Sequence, residues 1–186
     1  KMYIDNVEQL SKKHPNVNIK LIFVDSDNHS EIRMHGARAG DTHEKMSKVI
    51  SNYIASSIGM AQRFNGLMNV TFQYGSYVIS EVNGKTVMWL HGNNYPKQSE
   101  NMARKIENVF KGLRPDVVIH GHFHNYRYAS LNVYNGFSQT VISCPAMVGD
   151  TSFGREKLGL TSLQGFVEID IEDSIANSKF VDGGKL

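Results

Sequence analysis

Apolar positions recur with two different periods along this chain, and each period predicts a different element. Ile4, Val7 and Leu10 stand at helical spacing ahead of Pro15, which predicts a short helix over 3–13. The run over 17–24 is almost continuously apolar, which is typical of a strand buried on both faces. A helix and a strand are therefore the first predicted elements, and a polar loop over 25–31 follows them.

Two further helices are predicted. Asp41 and Glu44 have the spacing of a capping box ahead of a long helix over 42–64. A shorter helical pattern over 98–112 ends at a glycine. The apolar stripe expected to face the core from the long helix consists of Met46, Val49, Ile50, Tyr53, Ile54, Ile58 and Ala61.

The remaining pattern is that of short strands joined by turns. Asn83–Gly84 and Asn135–Gly136 each separate two strand-like runs, and an Asn-Gly pair in that position predicts a hairpin. The tail from residue 173 onward is expected to fray. The predicted strands cover 77–82, 85–90, 116–119, 128–134, 138–144 and 164–171.

This order of elements predicts a layered α/β fold with a β-rich second half. The length of 186 residues, with 40% apolar and 20% charged residues, is typical of a single globular domain over 1–186. No apolar run approaches the roughly 20 residues of a membrane span, and the start has no secretory pattern, so we expect a soluble, cytoplasmic protein without a membrane partner.

Charge and cysteine content narrow the function only slightly. A formal charge of +2, with the basic residues scattered, is too weak to indicate nucleic acid by itself. Cys144 is the single cysteine, so the chain cannot form a disulfide framework or a cysteine-type zinc site, and a buried apolar role is expected for it. The first residue is Lys1, which indicates a processed, trimmed or longer original chain.

Side chains suited to metal binding follow three of the predicted strands. Asn28 and His29 follow the first strand, and His91 follows the strand over 85–90. His122 and His124 belong to a Gly-His-x-His sequence directly after the buried strand over 116–119. Imidazole nitrogens and amide oxygens bind zinc, manganese or iron, so the sequence predicts a metal site where these strands end. Surface histidines without a ligand are the alternative interpretation.

Several neighbours of these positions have two interpretations each. His120 should face away from its strand neighbours and pack beneath the site or orient a ligand. Phe123 is expected to pack, with stacking on a base as the alternative. Asp25 and Asp27 would lie in a solvated loop, or would orient His29 or bind metal.

The polar blocks resemble those of the calcineurin-like metallophosphoesterase superfamily. Its ordered signature is Asp-x-His, Gly-Asp, Gly-Asn-His-Asp/Glu, a lone His, and Gly-His-x-His. Asn28 and His29 match the third block, although Asp27 replaces its glycine and Ser30 its acid. His91 and the Gly-His-x-His sequence match the last two blocks. The first two blocks have no match, because Asp-Thr-His at 41–43 comes after the Asn-His pair and is expected to cap a helix.

The resemblance implies a role for each matching residue. Asn28, His91 and His122 would bind one of two divalent metal ions. His124 would bind the other. His29 would be the catalytic acid that protonates the leaving group, and Arg33 or Arg127 would steady the phosphate. The implied cofactors are two divalent ions, Mn²⁺ in the first place and Zn²⁺ or Fe as alternatives.

The implied function is that of a divalent-metal-dependent phosphoesterase, an enzyme that hydrolyses phosphodiester or phosphomonoester bonds. A phosphate-ester substrate, DNA or RNA included, would be its partner. The spans 32–40 and 158–164 resemble a phage-associated, DNA repair exonuclease-like branch of the superfamily.

The implied fold is a layered metallophosphoesterase-type β-sandwich with flanking helices. This chain would be its C-terminal part, with the first strand or strands and both aspartate blocks upstream of Lys1, and would have little activity alone. A non-catalytic binding or assembly module with the same fold is one alternative. A mononuclear zinc site built from Asn28, His91, His122 and His124 is another. The sequence does not indicate an oligomeric state.

Overall fold

The computed structural model describes residues 2–25, 46–65, 69–133, 137–146, 164–172 and 176–183. They divide between two compact units, Lys1–Val78 and Ile79–Leu186, and the prediction of a single domain stays a prediction. None of the helices that these residues form is long and apolar enough to cross a membrane. In chain order the elements are α1 (Met2–Lys13), β1 (Ile19–Val24), α2 (Met46–Asn65), β2 (Val70–Gly75), β3 (Tyr77–Val82), β4 (Lys85–Leu90), α3 (Ser99–Val109), β5 (Val117–His120), β6 (Arg127–Val133), β7 (Phe137–Ser143), β8 (Gly165–Ile171) and β9 (Ala176–Asp182).

The first unit contains a parallel pair of strands connected through a helix. β1 and β2 pair in parallel, with Ile19 opposite Val70 at one end and Val24 opposite Gly75 at the other. A parallel pair needs a crossover connection, and α2 lies within it. Buried Ile58 of α2 packs with Val70, and around them lie the partly buried Val7, Ile19, Leu21, Ile54, Ala61 and Phe72.

The second unit contains a five-stranded sheet in the order β3-β4-β5-β7-β6. β5 is its central strand and is parallel to both β4 and β7. All four residues of β5 are buried, as expected for a strand with parallel neighbours and both faces covered. β6 pairs with β7 in the antiparallel direction. Asn83 and Gly84, with φ of 47° and 72°, form the turn between β3 and β4.

The sheet separates two apolar cores, because alternate residues of a strand point to opposite faces. On one face Met88 and Val118 pack with Met102 and Ile106 of α3. On the other face Val87, Val117, Ile119 and Ile142 pack with Ile171 and Ala176 of the β8–β9 pair. The second unit therefore has three layers, which are a helix, the five-stranded sheet and an antiparallel pair.

Asp116 ties the beginnings of β4 and β5 together. Its Oδ2 accepts a hydrogen bond from the backbone N–H of Thr86 at 2.7 Å. Its Oδ1 lies 3.8 Å from Nζ of Lys85. One carboxylate thus connects the starts of two parallel strands, at the end opposite to the histidines.

These features confirm the predicted layered α/β class. The hairpin turn at Asn83–Gly84, the buried strand before the Gly-His-x-His sequence and the helix after residue 98 are all present.

Three sequence expectations differ from the structure. β2 was not predicted, because its alternating Val70, Phe72 and Tyr74 find their partner strand about 50 residues away in the chain. The expected fraying after residue 173 is wrong for Ala176–Asp182, which pairs with β8 over its whole length as β9. The polar composition of β9 misled the interpretation, although an antiparallel strand with one solvated face has that composition.

The predicted apolar stripe of the long helix is also partly wrong. Ile54, Ile58 and Ala61 pack in the core, whereas Val49 and Tyr53 are 52% and 61% exposed. The buried face of a surface helix usually spans about 100° around the helix axis, and the seven predicted positions span a wider arc. The proposed capping residues Asp41 and Glu44 lie outside the described residues.

Candidate metal site

The carboxyl ends of β4, β5 and β7 lie at one edge of the five-stranded sheet. These three neighbouring strands are parallel, with Leu90 opposite His120 and His120 opposite Ser143. The segments that follow them begin with His91, Gly121 and Cys144. Ligand sites in sheets of this kind lie beyond the carboxyl ends of the strands, so this edge is where a site is expected.

His91 and His122 are in direct contact at this edge. Nδ1 of His122 lies 3.2 Å from Nε2 of His91, and the rings meet edge to face with centroids 5.1 Å apart. Without a cation, one ring donates its N–H to the unprotonated nitrogen of the other. Two nitrogens bound tetrahedrally to one zinc ion at the usual bond length lie about 3.3–3.4 Å apart. The separation of the two nitrogens is therefore compatible with two adjacent coordination positions of one metal ion.

The turn that presents His122 has an unusual backbone. His122 and His124 have φ of 69° and 52°, a left-handed conformation that costs a residue with a Cβ roughly 1–2 kcal/mol. Such conformations persist where the surrounding structure enforces them, and they cluster at functional sites. Gly121 donates its N–H to the carbonyl of His91 at 3.1 Å, and Phe123 donates to the carbonyl of Gly121 at 2.9 Å. The turn is thus tied to the end of β4.

A side chain at Gly92 would be crowded where the end of β4 approaches this turn. Its φ is +104°. A Cβ on Gly92 would lie 3.2 Å from Nδ1 of His120 and 3.3 Å from the carbonyl oxygen of Gly121. The close approach of the two segments that carry His91 and His122 therefore requires glycine at this position.

His120 and Phe123 pack behind the histidine pair. The ring of His120 is buried, and its Nδ1–H donates to the carbonyl of Gly121 at 3.0 Å. Phe123 meets the rings of both His120 and His122 edge to face and also packs against the core on the α3 side. Burial lowers the pKa of His120, the bond to Gly121 opposes that shift, and the charge on His122 adds to it. Both residues are packing residues, as expected.

Two further hydrogen bonds connect the turn between β5 and β6 to the end of β7. Ser143, the last residue of β7, donates from its hydroxyl to Oδ1 of Asn125 at 3.1 Å. The next residue, Cys144, donates its N–H to the carbonyl of His120 at 2.7 Å. The turn from β5 to β6 is therefore bonded to the ends of both β4 and β7.

Cys144 lies at the same edge without the properties of a nucleophile or a metal ligand. It packs against the core on the β8–β9 side. Burial raises the pKa of its thiol to about 11, so the thiol is neutral near pH 7. Because the thiolate is the reactive and metal-binding form, the role of Cys144 is apolar packing.

The structure brings together two of the predicted site residues. Asn28 and His29 lie outside the described residues, so their roles stay predictions. His124 is exposed in the same turn as His122. Within the described ranges, no three His, Cys, Asp or Glu residues are grouped so as to hold a metal ion. A metal ion at the histidine pair would thus need ligands from elsewhere or a rearrangement of His124, and the assignment of His124 stays a prediction.

The other candidates lie as follows. Asp25 is buried after β1, where its N–H donates to the carbonyl of Gly75 at 2.8 Å. Arg127 is exposed at the start of β6. Asp27 and Arg33 lie outside the described residues.

The sequence interpretation missed Gly92, Asn125 and Ser143. A glycine directly after a histidine at a strand end is a signal for positive φ or close approach, and it would have drawn attention to Gly92. The bond between Ser143 and Asn125 depends on the pairing of β5, β6 and β7, which composition and periodicity do not contain.

A scan against protein-family models and a search of the curated proteins find no match to this chain. Solved structures similar to it include wild-type Vps29 from Entamoeba histolytica in complex with zinc, with a TM-score of 0.41 and 15% identity over 62% of this chain. The chain spans 65% of the length of that protein.

Two further similar structures are a predicted phosphoesterase and a phosphodiesterase. One is a predicted phosphoesterase from Streptococcus pneumoniae, with a TM-score of 0.47 and 10% identity over 96% of this chain and 82% of its own. The other is an archaeal phosphodiesterase, with a TM-score of 0.45 and 14% identity over 96% of this chain and 93% of its own.

Gly92→Ala should disturb the histidine pair, and Gly112→Ala is its matched control. Both glycines have positive φ, at +104° and +91°, so each substitution should cost about 1–2 kcal/mol of backbone energy. A Cβ on Gly112 would meet nothing within 4 Å. In NMR spectra the side-chain resonances of His91 and His122 should therefore move in Gly92→Ala alone. Unmoved resonances in that variant would contradict the close packing inferred here.

Stability should depend on pH through Cys144. The pKa of its thiol is raised to about 11 in the folded chain, whereas an unfolded cysteine has a pKa of about 8.5. The unfolded chain therefore ionises first, and the free energy of unfolding should fall as pH rises through that window. Urea unfolding at pH 8 and pH 10 should show a smaller pH effect in Cys144→Ala than in the wild type. Equal pH effects in the two proteins would show that the thiol is not buried in this way.

Proposed function

We propose that this edge of the sheet is the active site of a divalent-metal-dependent phosphoesterase. The enzyme would hydrolyse phosphodiester or phosphomonoester bonds, with a nucleic acid or nucleotide as substrate. The contact between His91 and His122 supports the proposal most directly, because it joins histidines from two predicted blocks that are 31 residues apart. The left-handed backbone of His122 and His124 is a second support.

The metal ligands in this proposal are Asn28, His91, His122 and His124. The nitrogen separation of 3.2 Å between His91 and His122 is compatible with two bonds to one ion. Two bound divalent ions, Mn²⁺ in the first place and Zn²⁺ or Fe as alternatives, would neutralise phosphate charge and lower the pKa of the attacking water to about 7. Uncharged imidazoles can bind a divalent ion by themselves but bring no compensating negative charge, so a complete two-metal centre would also include acidic ligands.

The chain's own residues would bind the substrate and move a proton. His29 would donate a proton to the leaving oxygen, a step typically worth about 10²–10⁴-fold in rate. Arg127 is exposed at the start of β6 and would contact a phosphate oxygen. Phe123 would keep its packing role and hold the imidazole of His122 in place.

A mononuclear zinc site is the second candidate. It is favoured by the contact between two uncharged imidazoles, because three or four neutral ligands suffice for zinc without a bridging carboxylate. A binding or assembly module without catalysis would retain the fold and bind little metal.

Metal binding should depend on the histidine pair. Removing either ligand should weaken Mn²⁺ and Zn²⁺ binding by roughly tenfold or more, because even residues behind the ligands typically contribute about 10–100-fold. Isothermal titration calorimetry should show this loss for His91→Ala and His122→Ala. His14→Ala is the control, because His14 is exposed after α1 in the first unit.

The stoichiometry of the same titration separates the candidates. Two ions per chain support the two-metal site, and one supports the mononuclear zinc site. No binding by a folded chain would contradict the metal proposal and favour the non-catalytic module.

Hydrolytic activity of the 186 residues by themselves should be low. The Asp-x-His and Gly-Asp blocks implied by the resemblance have no ordered match in this chain, so the proposal assigns no carboxylate ligand to it. Turnover of bis-p-nitrophenyl phosphate with Mn²⁺ should stay near the rate of buffer containing Mn²⁺. Robust Mn²⁺-dependent turnover that His122→Ala abolishes would show that the chain supplies those ligands itself.

A further inference from the structure

In the sheet β7 lies between β5 and β6, so the turn from β5 to β6 passes over the end of β7. The chain leaves β5 at His120 and enters β6 at Arg127, and both residues are paired with Ser143 of β7. Ser143 is therefore flanked by the two ends of the turn that contains His122 and His124. Its backbone is fixed by pairing on both sides, and its side chain is buried.

The two halves of this turn are held by different contacts. The first half is tied by the bond from Gly121 to His91 and by the packing of Phe123. The second half contains left-handed His124 followed by Asn125, whose Oδ1 accepts the hydroxyl proton of Ser143 at 3.1 Å. Because Ser143 is paired with a strand on each side, its hydroxyl is presented to Asn125 from a fixed backbone position.

We propose that Ser143 and Asn125 are positioning residues for the metal site, because their hydrogen bond holds the turn in the conformation that sets His122 against His91. This inference rests on the proposed function for its link to metal binding. The net stabilisation by one hydrogen bond is of the same order as the cost of one left-handed residue. Without that bond the turn can relax towards ordinary backbone angles, and His122 then moves away from His91.

Ser143→Ala and Ser143→Thr test this role, with Ser80→Ala as the matched control. Ser80 is similarly buried, at 7% exposure against 3% for Ser143, and lies in the same sheet. Its hydroxyl also makes one side-chain hydrogen bond, accepting from Nε1 of Trp89 at 2.9 Å. Both alanine variants should therefore lower the urea midpoint by similar amounts. Asn125→Ala removes the same bond as Ser143→Ala from the turn side and keeps strand β7 intact, so it serves if Ser143→Ala fails to fold.

Two measurements identify the positioning role. In NMR spectra of the metal-free chain, the side-chain nitrogens of His91 and His122 should shift in Ser143→Ala and Asn125→Ala, but not in Ser80→Ala. In calorimetry with Mn²⁺ and with Zn²⁺, the same two variants should bind roughly tenfold or more weakly than wild type. Ser143→Thr keeps the hydroxyl and should restore affinity to within about threefold.

The outcomes distinguish failure of this inference from failure of the proposed function. A wild-type chain that binds no metal contradicts the proposed function. The NMR shifts by themselves then show whether Ser143 and Asn125 position His122. Wild-type binding together with equal affinity and unshifted histidine resonances in both variants would overturn the inference. A loss of affinity in Ser80→Ala as large as in Ser143→Ala would also overturn it, because the effect would then follow from stability.

Discussion

Parallel pairing of one short, buried strand with a neighbour on each side is the constraint on which the candidate site depends. β5 has four residues, all buried, and it is parallel to β4 and β7. Chain segments that follow three adjacent parallel strands emerge at one edge of the sheet. His91 and His122 come from the first two of these segments, and Ser143 ends the third strand. The meeting of distant residues therefore follows from strand direction, and the side chains need only the local turn geometry to come into contact.

The sequence was informative where a local pattern carried the signal. The Asn-Gly turn, the buried strand before Gly121 and the histidines at strand ends were all predictable, because turn chemistry and apolar runs act over a few residues. The contact between His91 and His122 was anticipated only as a consequence of matching strand ends. β2 was missed because its partner strand lies about 50 residues away in the chain, and β9 because its polar composition resembles that of a tail.

The place of Ser143 and the backbone of the histidine turn could not be predicted, because both depend on contacts between strands. Ser143 lies between His120 and Arg127 only if the registers of β5, β6 and β7 are correct to within one residue. The left-handed conformation of His122 and His124 is uncommon for residues with a Cβ, although histidine adopts it more often than most, so local propensity alone does not predict the observed turn. Tertiary contacts enforce that turn through bonds to β4 and β7 and through the ring of Phe123. The candidate site is thus one place where local preference and the fold disagree, which is common at functional sites, and Lys111 with φ of 51° is another.

Asp116 gives the site a dependence on the opposite end of the sheet. Its carboxylate binds the N–H of Thr86 and lies near Lys85, where β4 and β5 begin. At the other end, the bond from Gly121 to His91 joins the same two strands. Since successive side chains of a strand face opposite sides, a slip of one residue between β4 and β5 would reverse the direction of every β4 side chain relative to β5. The carboxylate of Asp116, remote from the histidines, thus disfavours a shift in the register of β4 and β5. Such a shift would leave each helix and strand intact and still separate His91 from His122.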